Sequence, residues 1–217
     1  MINRKTLKSF LVLLCLIFAL EAANVTKKFG CYKRSLNTTS LIKNPLPQLD
    51  PSEFPTNFWW GNVSGVNFLT IQRNQHIPIY CGACWAFSTT SCMSDRIKIM
   101  RKAQWPDIII SPQILLSCDM DDGGCHGGDS SVALPWIHKN YITDESCSPY
   151  QALGHSDGLT CTSEIKCKNC MPGKGCWAQE RAKIYTVEEF GDISGEYSMM
   201  NEIYQRGPIS CGIAATD

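Results

Sequence analysis

The stretch Gln75-His76-Ile77-Pro78-Ile79-Tyr80-Cys81-Gly82-Ala83-Cys84-Trp85-Ala86-Phe87 decides the reading of this 217-residue chain. Helical spacing begins at Cys84. Trp85, Ser88, Cys92, Ile97 and Met100 step by three to five and are expected to face inward, with Lys98, Arg101 and Lys102 in the last turn and Pro106 beyond the end. A thiol in the first turn of a helix lies among unpaired backbone amides at the positive end of the helix dipole. That setting favours the thiolate, the form in which cysteine attacks. Cys81, if fixed in a disulfide, holds the loop so that amide donors converge beside the Cys84 sulfur.

Two further readings of Cys81-x-x-Cys84 stand beside this one. A thiol-disulfide oxidoreductase of thioredoxin type carries its tryptophan before the motif and leads into it from a buried strand, whereas Trp85 follows the motif and no strand-like run precedes it. A plain structural crosslink between Cys81 and Cys84 is the second.

The compartment is read from the first residues. Arg4, Lys5 and Lys8 precede an apolar run at 10–20, and Glu21-Ala22-Ala23 suits cleavage after Ala22 or Ala23, so 1–23 is expected to be a signal peptide. The run is too short to span a bilayer comfortably, and no later segment reaches 18 apolar residues. Of 13 cysteines, Cys15 leaves with the signal, and the rest are expected in disulfides rather than on metal. Cys81-x-x-Cys84 and Cys167-x-x-Cys170 have zinc-ligand spacing, but a secretory route and sequons at Asn24, Asn37 and Asn62 favour crosslinks. No metal and no cofactor are therefore expected. Twenty Lys and Arg against twenty Asp and Glu give no net charge, so neither nucleic acid nor an acidic membrane surface is an expected partner. A soluble monomer that takes a peptide or small molecule is the expectation.

Residues 24–47 are polar and sequon-bearing and read as a short propeptide, leaving 48–217 as the main domain. Pro45, Pro47, Pro51 and Pro55 mark an extended entry. A second helix is expected from Ser111 as N-cap and Pro112 to near Cys118. Gly123, Gly124, Gly127 and Gly128 form a tight loop around Cys125 and His126, and Asp129 or Ser130 caps a third helix through Trp136 and His138. The cysteine-rich stretch 147–176 reads as a crosslinked loop region. A strand is expected at 184–190, a helix through Met199, Met200 and Ile203 stopped by Gly207-Pro208, and another strand at 209–214.

Residues 59–216 resemble the papain family of cysteine peptidases, and within it the cathepsin X branch, also called cathepsin Z. Cys81-Gly82-Ala83-Cys84-Trp85 fits the family's nucleophile signature. Arg73-Asn74-Gln75-His76-Ile77-Pro78 is similar to the short insertion, the mini-loop, of that branch. Arg101-Lys102 with Trp105-Pro106, Cys125-x-Gly127-Gly128, Asp144-Glu145, Tyr150-Gln151-Ala152, Met199-Met200-x-Glu202-Ile203-Tyr204, the segment from Gly207 to Ile213 and the brief leader with its single Cys31 carry the same resemblance. Ala83 and Phe87 depart from it, standing where serine and histidine are usual.

The resemblance implies an α+β, papain-like two-domain fold, with the helical left domain complete and the β-rich right domain cut short. It implies a secreted or lysosomal peptidase with Cys84 as nucleophile and with the Gln75 amide and the Cys84 backbone N–H as oxyanion donors. Gly127 and Gly128 would pair with an extended substrate, a plain turn being the bland alternative. His76 would bind the substrate's terminal carboxylate, making the enzyme a carboxypeptidase; otherwise it is an exposed loop histidine. The implied disulfides are Cys81 with Cys125, Cys118 with Cys161, Cys147 with Cys167, and Cys170 with Cys176. Cys31 would latch the zymogen through Cys84. Cys92 is expected to be an inert buried thiol, and Cys211 would pair further along the chain. The family's histidine and asparagine are expected near 214–234, of which the sequence holds 214–217 without a histidine. Three readings stay open: a truncated record of an active peptidase, a homologue without its base that only binds peptides, and a disulfide-rich secreted domain.

Overall fold

Helix α1, Cys84–Met100, is 17 residues long and contains neither glycine nor proline. Its buried face is Trp85, Ala86, Thr89, Thr90, Met93 and Ser94, which differs from the expected apolar row. Ser88, Cys92 and Ile97 are half-buried and Met100 is exposed. The hydroxyls explain the shift, because each bonds back within the helix: Thr89 Oγ1 to Trp85 O (2.8 Å), Thr90 Oγ1 to Ala86 O (2.8 Å) and Ser94 Oγ to Thr90 O (2.7 Å). A hydroxyl satisfied in this way can enter a core at little cost. Ser88 and Cys92 form a second flank against the segment after Gly207. There the Ser88 and Ser210 hydroxyls lie 2.7 Å apart, and Cys92 Sγ donates to Pro208 O at 2.8 Å.

The computed structural model describes residue 33 and residues 38–213, within the compact unit Cys31–Asp217; the expected signal peptide, with Cys15, lies outside the described residues. Helix α2, Pro112–Cys118, is buried at every position. Ser111 occupies its N-cap position, yet its hydroxyl donates to Ser148 O at 2.6 Å instead of capping the helix. Helix α3, Ser130–Asn140, is capped by Asp129, whose carboxylate accepts from Ser131 N–H at 3.0 Å. Trp85, Ile110, Ile114, Leu115, Leu116, Ala133, Ile137 and Ile142 form the core between these helices. Ser94 Oγ also accepts from Ile110 N–H at 2.9 Å, both residues being fully buried. Ser94→Ala removes that acceptor and fits the space, so it should cost about 1–3 kcal/mol, read as a lowered urea midpoint with an unchanged slope.

The cysteine-rich stretch is more ordered than a loop. A short helix α4, Ser163–Lys166, leads into an antiparallel hairpin, β1 Lys168–Met171 with β2 Gly175–Ala178, in which Cys170 lies opposite Cys176. Disulfides join Cys81 to Cys125, Cys118 to Cys161, Cys147 to Cys167 and Cys170 to Cys176, the pairs that the resemblance implies. The expected strand at 184–190 is absent: Tyr185 makes one bridge to Ile142 and Phe190 one to Leu41. No strand forms at 209–213 either. Both runs have β-forming composition, but a ladder needs a partner over several residues, and each meets a neighbour at one position or none. Helix α5, Glu196–Arg206, ends at Gly207, whose φ of 125° suits glycine alone. The described residues form an α+β fold that is mostly helical, and none of their helices is long and apolar enough to cross a membrane.

Candidate active site

Cys84 opens α1, half-buried, and no side chain caps the helix at Ala83. The first-turn amides therefore point toward the space around the sulfur, where the helix dipole favours negative charge. The preceding turn is tied down three times. Cys81 is bonded to Cys125, Gly82 N–H donates to Cys125 O at 2.8 Å, and Trp85 Nε1–H donates to Gly124 O at 3.0 Å. A Cβ on Gly82 would lie 2.6 Å from Cys125 O, so this close approach requires glycine.

Cys81 and Cys84 do not pair with each other, which removes both the dithiol-redox geometry and the plain Cys81–Cys84 crosslink. Cys167 and Cys170 are likewise taken by Cys147 and Cys176. Cys84 takes part in a disulfide that none of the four described bridges contains. Cys31, the expected latch, lies outside the described residues. Cys92 is a free thiol under Pro208, pushed up by burial, and Cys211 is free and exposed.

Gln75 and His76 lie on the loop before Cys81. Gln75 is half-buried, and its backbone carbonyl accepts the Tyr150 hydroxyl at 2.6 Å. His76 is exposed and stacks on Tyr80, ring centroids 4.6 Å apart and planes within 8°. Asn74 Oδ1 accepts from His76 N–H at 2.9 Å and fixes the turn between them. In the glycine loop, Gly127 O accepts from Gly123 N–H at 2.9 Å and Gly128 O accepts from Lys33 N–H at 3.0 Å. The main chain at Lys33 therefore already pairs with Gly128. The glycine itself is demanded from behind: a Cβ there would lie 2.5 Å from Asp122 Oδ1 and 2.7 Å from Trp85 Cδ2.

Two groups of residues around this site were not assigned roles from the sequence. Arg73 Nη1 bonds Glu145 Oε1 at 2.6 Å, and Glu145 Oε2 accepts from Tyr150 N–H at 3.1 Å. These residues occur in the quoted motifs, which was the available signal. Beneath the glycine loop, Asp119 and Asp122 are buried, each with one carboxylate oxygen lacking a hydrogen-bond partner. Burial raises both above the ordinary carboxylate range. Nothing in the sequence distinguished them from Asp121.

Residues 54–217 match the model of the family described as "Papain family cysteine protease". The chain is 39% identical over 201 residues to "Cathepsin Z" of Onchocerca volvulus, covering 91% of this chain and 64% of that protein. It is 27% identical over 191 residues to "Cathepsin B" of Dictyostelium discoideum, covering 82% and 56%. It thus spans less than two thirds of the length of either relative. Among solved structures, a digestive procathepsin L2 proteinase from the larval midgut of Tenebrio molitor aligns at 25% identity over 51% of this chain and 34% of that one, with a TM-score of 0.41. The chain belongs to the papain family of cysteine proteases, and of the two curated relatives it is the more similar to the cathepsin Z.

Proposed function

We propose that the protein is a cysteine peptidase of cathepsin X type that removes single residues from the carboxyl ends of peptides, with Cys84 as nucleophile. The observation that carries this reading is the helix terminus at Cys84, without a side-chain cap, on a loop locked by Cys81–Cys125. The Cys84 thiolate attacks the scissile carbonyl carbon, and the oxygen takes up negative charge held by the Cys84 N–H and the Gln75 amide. The C–N bond then breaks as the amine accepts a proton, the task of the histidine that the family resemblance implies. Water afterwards hydrolyses the thioester and restores the thiol. Gly128, already paired with Lys33 N–H, supports an extended backbone in the cleft.

A leader that covers the site belongs to the same proposal. Cys31 lies two residues before Lys33, and Cys84 is disulfide-bonded, which together support a covalent latch. Secretion to the lysosome or the extracellular space and a monomeric state belong to this proposal. The exposed Asn62 of its sequon suits a glycoprotein.

A second reading is a homologue that binds peptides without cleaving them. His138 Nδ1 lies 2.7 Å from Val187 O, and His155 Nε2 lies 2.9 Å from Asp122 O, so both rings are engaged elsewhere.

The test is hydrolysis of matched peptides with free and amidated carboxyl ends by the full-length protein under reducing conditions. Free acids should be preferred, and His76→Ala should erase about tenfold of that preference by removing a charged hydrogen-bond partner. Equal turnover of both ends defeats the carboxypeptidase assignment. Binding without turnover supports the second reading.

A further inference from the structure

Loop 71–80 is largely exposed, whereas an oxyanion donor works only when held within a few tenths of an ångström of its place. The geometry points to Tyr150 as the residue that holds Gln75 there; this rests on the proposed oxyanion role of Gln75. The Tyr150 hydroxyl donates to the Gln75 carbonyl at 2.6 Å, so it grips the main chain from which the amide side chain projects.

Tyr150 is itself fixed on several sides. Its N–H donates to Glu145 Oε2 at 3.1 Å, and its ring meets Phe87 edge-on, centroids 4.7 Å apart at 86°. Arg73 closes the circuit: Nη1 bonds Glu145 Oε1 at 2.6 Å, and the guanidinium carbon lies 4.8 Å from the Phe87 ring centroid. The Arg73–Glu145 pair is largely shielded, with side chains 15% and 25% exposed, which strengthens it relative to a surface pair. Burial, with the Glu145 carboxylate nearby, raises Tyr150 above the ordinary phenol range, so its hydroxyl stays a donor.

Phe87 stands three residues after Cys84 on α1. The circuit Arg73–Glu145–Tyr150–Phe87 therefore references the loop carrying Gln75 to the helix carrying the nucleophile. It spaces donor and sulfur without Tyr150 touching substrate. The role is positional and should appear only where an oxyanion forms.

Two thiol reactions separate this from general stability. A dipeptide aldehyde adds to Cys84: the sulfur bonds to the carbonyl carbon, the C=O π bond breaks, and the oxygen lodges at the oxyanion site before taking a proton. Iodoacetamide alkylates the same sulfur with loss of iodide and forms no oxyanion. With the full-length protein under mild reduction, Tyr150→Phe should weaken aldehyde binding about tenfold and leave the alkylation rate of Cys84 unchanged. Gln75→Ala should weaken aldehyde binding as well, and the double variant should be no weaker than Gln75→Ala alone, because Tyr150 acts through Gln75. If Gln75→Ala weakens the aldehyde and Tyr150→Phe does not, the positioning role is wrong. Should Tyr150→Phe slow alkylation as much as it weakens the aldehyde, its role is structural and the inference falls. A silent Gln75→Ala removes the oxyanion reading itself, and Tyr150 with it.

Discussion

Replacing Cys84 with serine is expected to lower peptide hydrolysis on the order of 10⁶-fold, the scale seen when a nucleophile that works as part of a unit is removed. A serine hydroxyl in this turn has the same backbone amides and dipole, but these cannot ionise an alcohol at neutral pH, whereas a thiol needs only a small downward push to become thiolate. The fold should survive, because Cys84 is half-buried and the turn is held independently by Cys81–Cys125 and by Trp85 on Gly124. The free thiol of Cys92 serves as a control. Cys92 is shielded beneath Pro208 and should label slowly with a thiol reagent. Since Cys84 takes part in a disulfide, its labelling and the activity should both rise on reduction. Activity retained in Cys84→Ser at more than a thousandth of wild type would sink the nucleophile assignment.

How much of this was legible in the sequence varies with the range of the interaction involved. The first three helices were readable because their punctuation is local: Cys84 begins a run without glycine or proline, Ser111-Pro112 opens α2, and Asp129 caps α3. The buried face of α1 was not, because Thr89, Thr90 and Ser94 look polar until their hydroxyls are seen bonded one turn back. The runs at 184–190 and 209–213 have strand composition, and composition cannot report whether a partner lies alongside. The hairpin was missed for the opposite reason. Lys168, Asn169, Pro172, Gly173 and Lys174 read as loop, while the pairing is set by the crosslink of Cys170 to Cys176 and by left-handed backbone at Gly173 and Gly175.

At the site, the nucleophile turn is a contiguous motif and could be read directly. Tyr150 on Gln75 and Arg73 on Glu145 join residues 75 and 72 positions apart, which no spacing rule anticipates. Gly128 is instructive in another way. Its place beside an extended backbone was expected, but the contacts that exclude a side chain come from Asp122 and Trp85 behind it.

Asp122 leads to the second large effect, a loss of stability as pH rises through the neutral range. Asp119 and Asp122 are raised, to about 6 and about 7, chiefly by burial. Around Asp119 stand Asp121, Asp122 and His155, and around Asp122 stand Asp119 and Asp129. The Lys33 ammonium lies against the same loop, 3.3 Å from where a Cβ on Gly123 would be. The unfolded chain ionises these carboxyls near 3.9. A folded value above the unfolded one means that protonation stabilises the fold, so the contribution is complete below about pH 4 and is lost as pH rises through about 6 to 7. Holding one such carboxyl protonated in the fold corresponds to on the order of 3 kcal/mol, or a Tm lower by roughly 10 °C at this chain length once the proton is lost. The direction is opposite to that of a salt-bridged aspartate.

Asp122→Asn isolates the effect. Its amide oxygen can still accept from Asp129 N–H, the bond Asp122 Oδ1 makes at 2.9 Å, and its NH₂ can donate to Asp119 without a proton that titrates. Thermal unfolding from pH 4.5 to 8 should therefore show a steep decline in the wild-type protein and a shallow one in Asp122→Asn, the variant being the more stable of the two above pH 7. Parallel curves, or a wild-type Tm that rises toward pH 8, would show that the Asp119–Asp122 pair does not govern the acid preference of this fold.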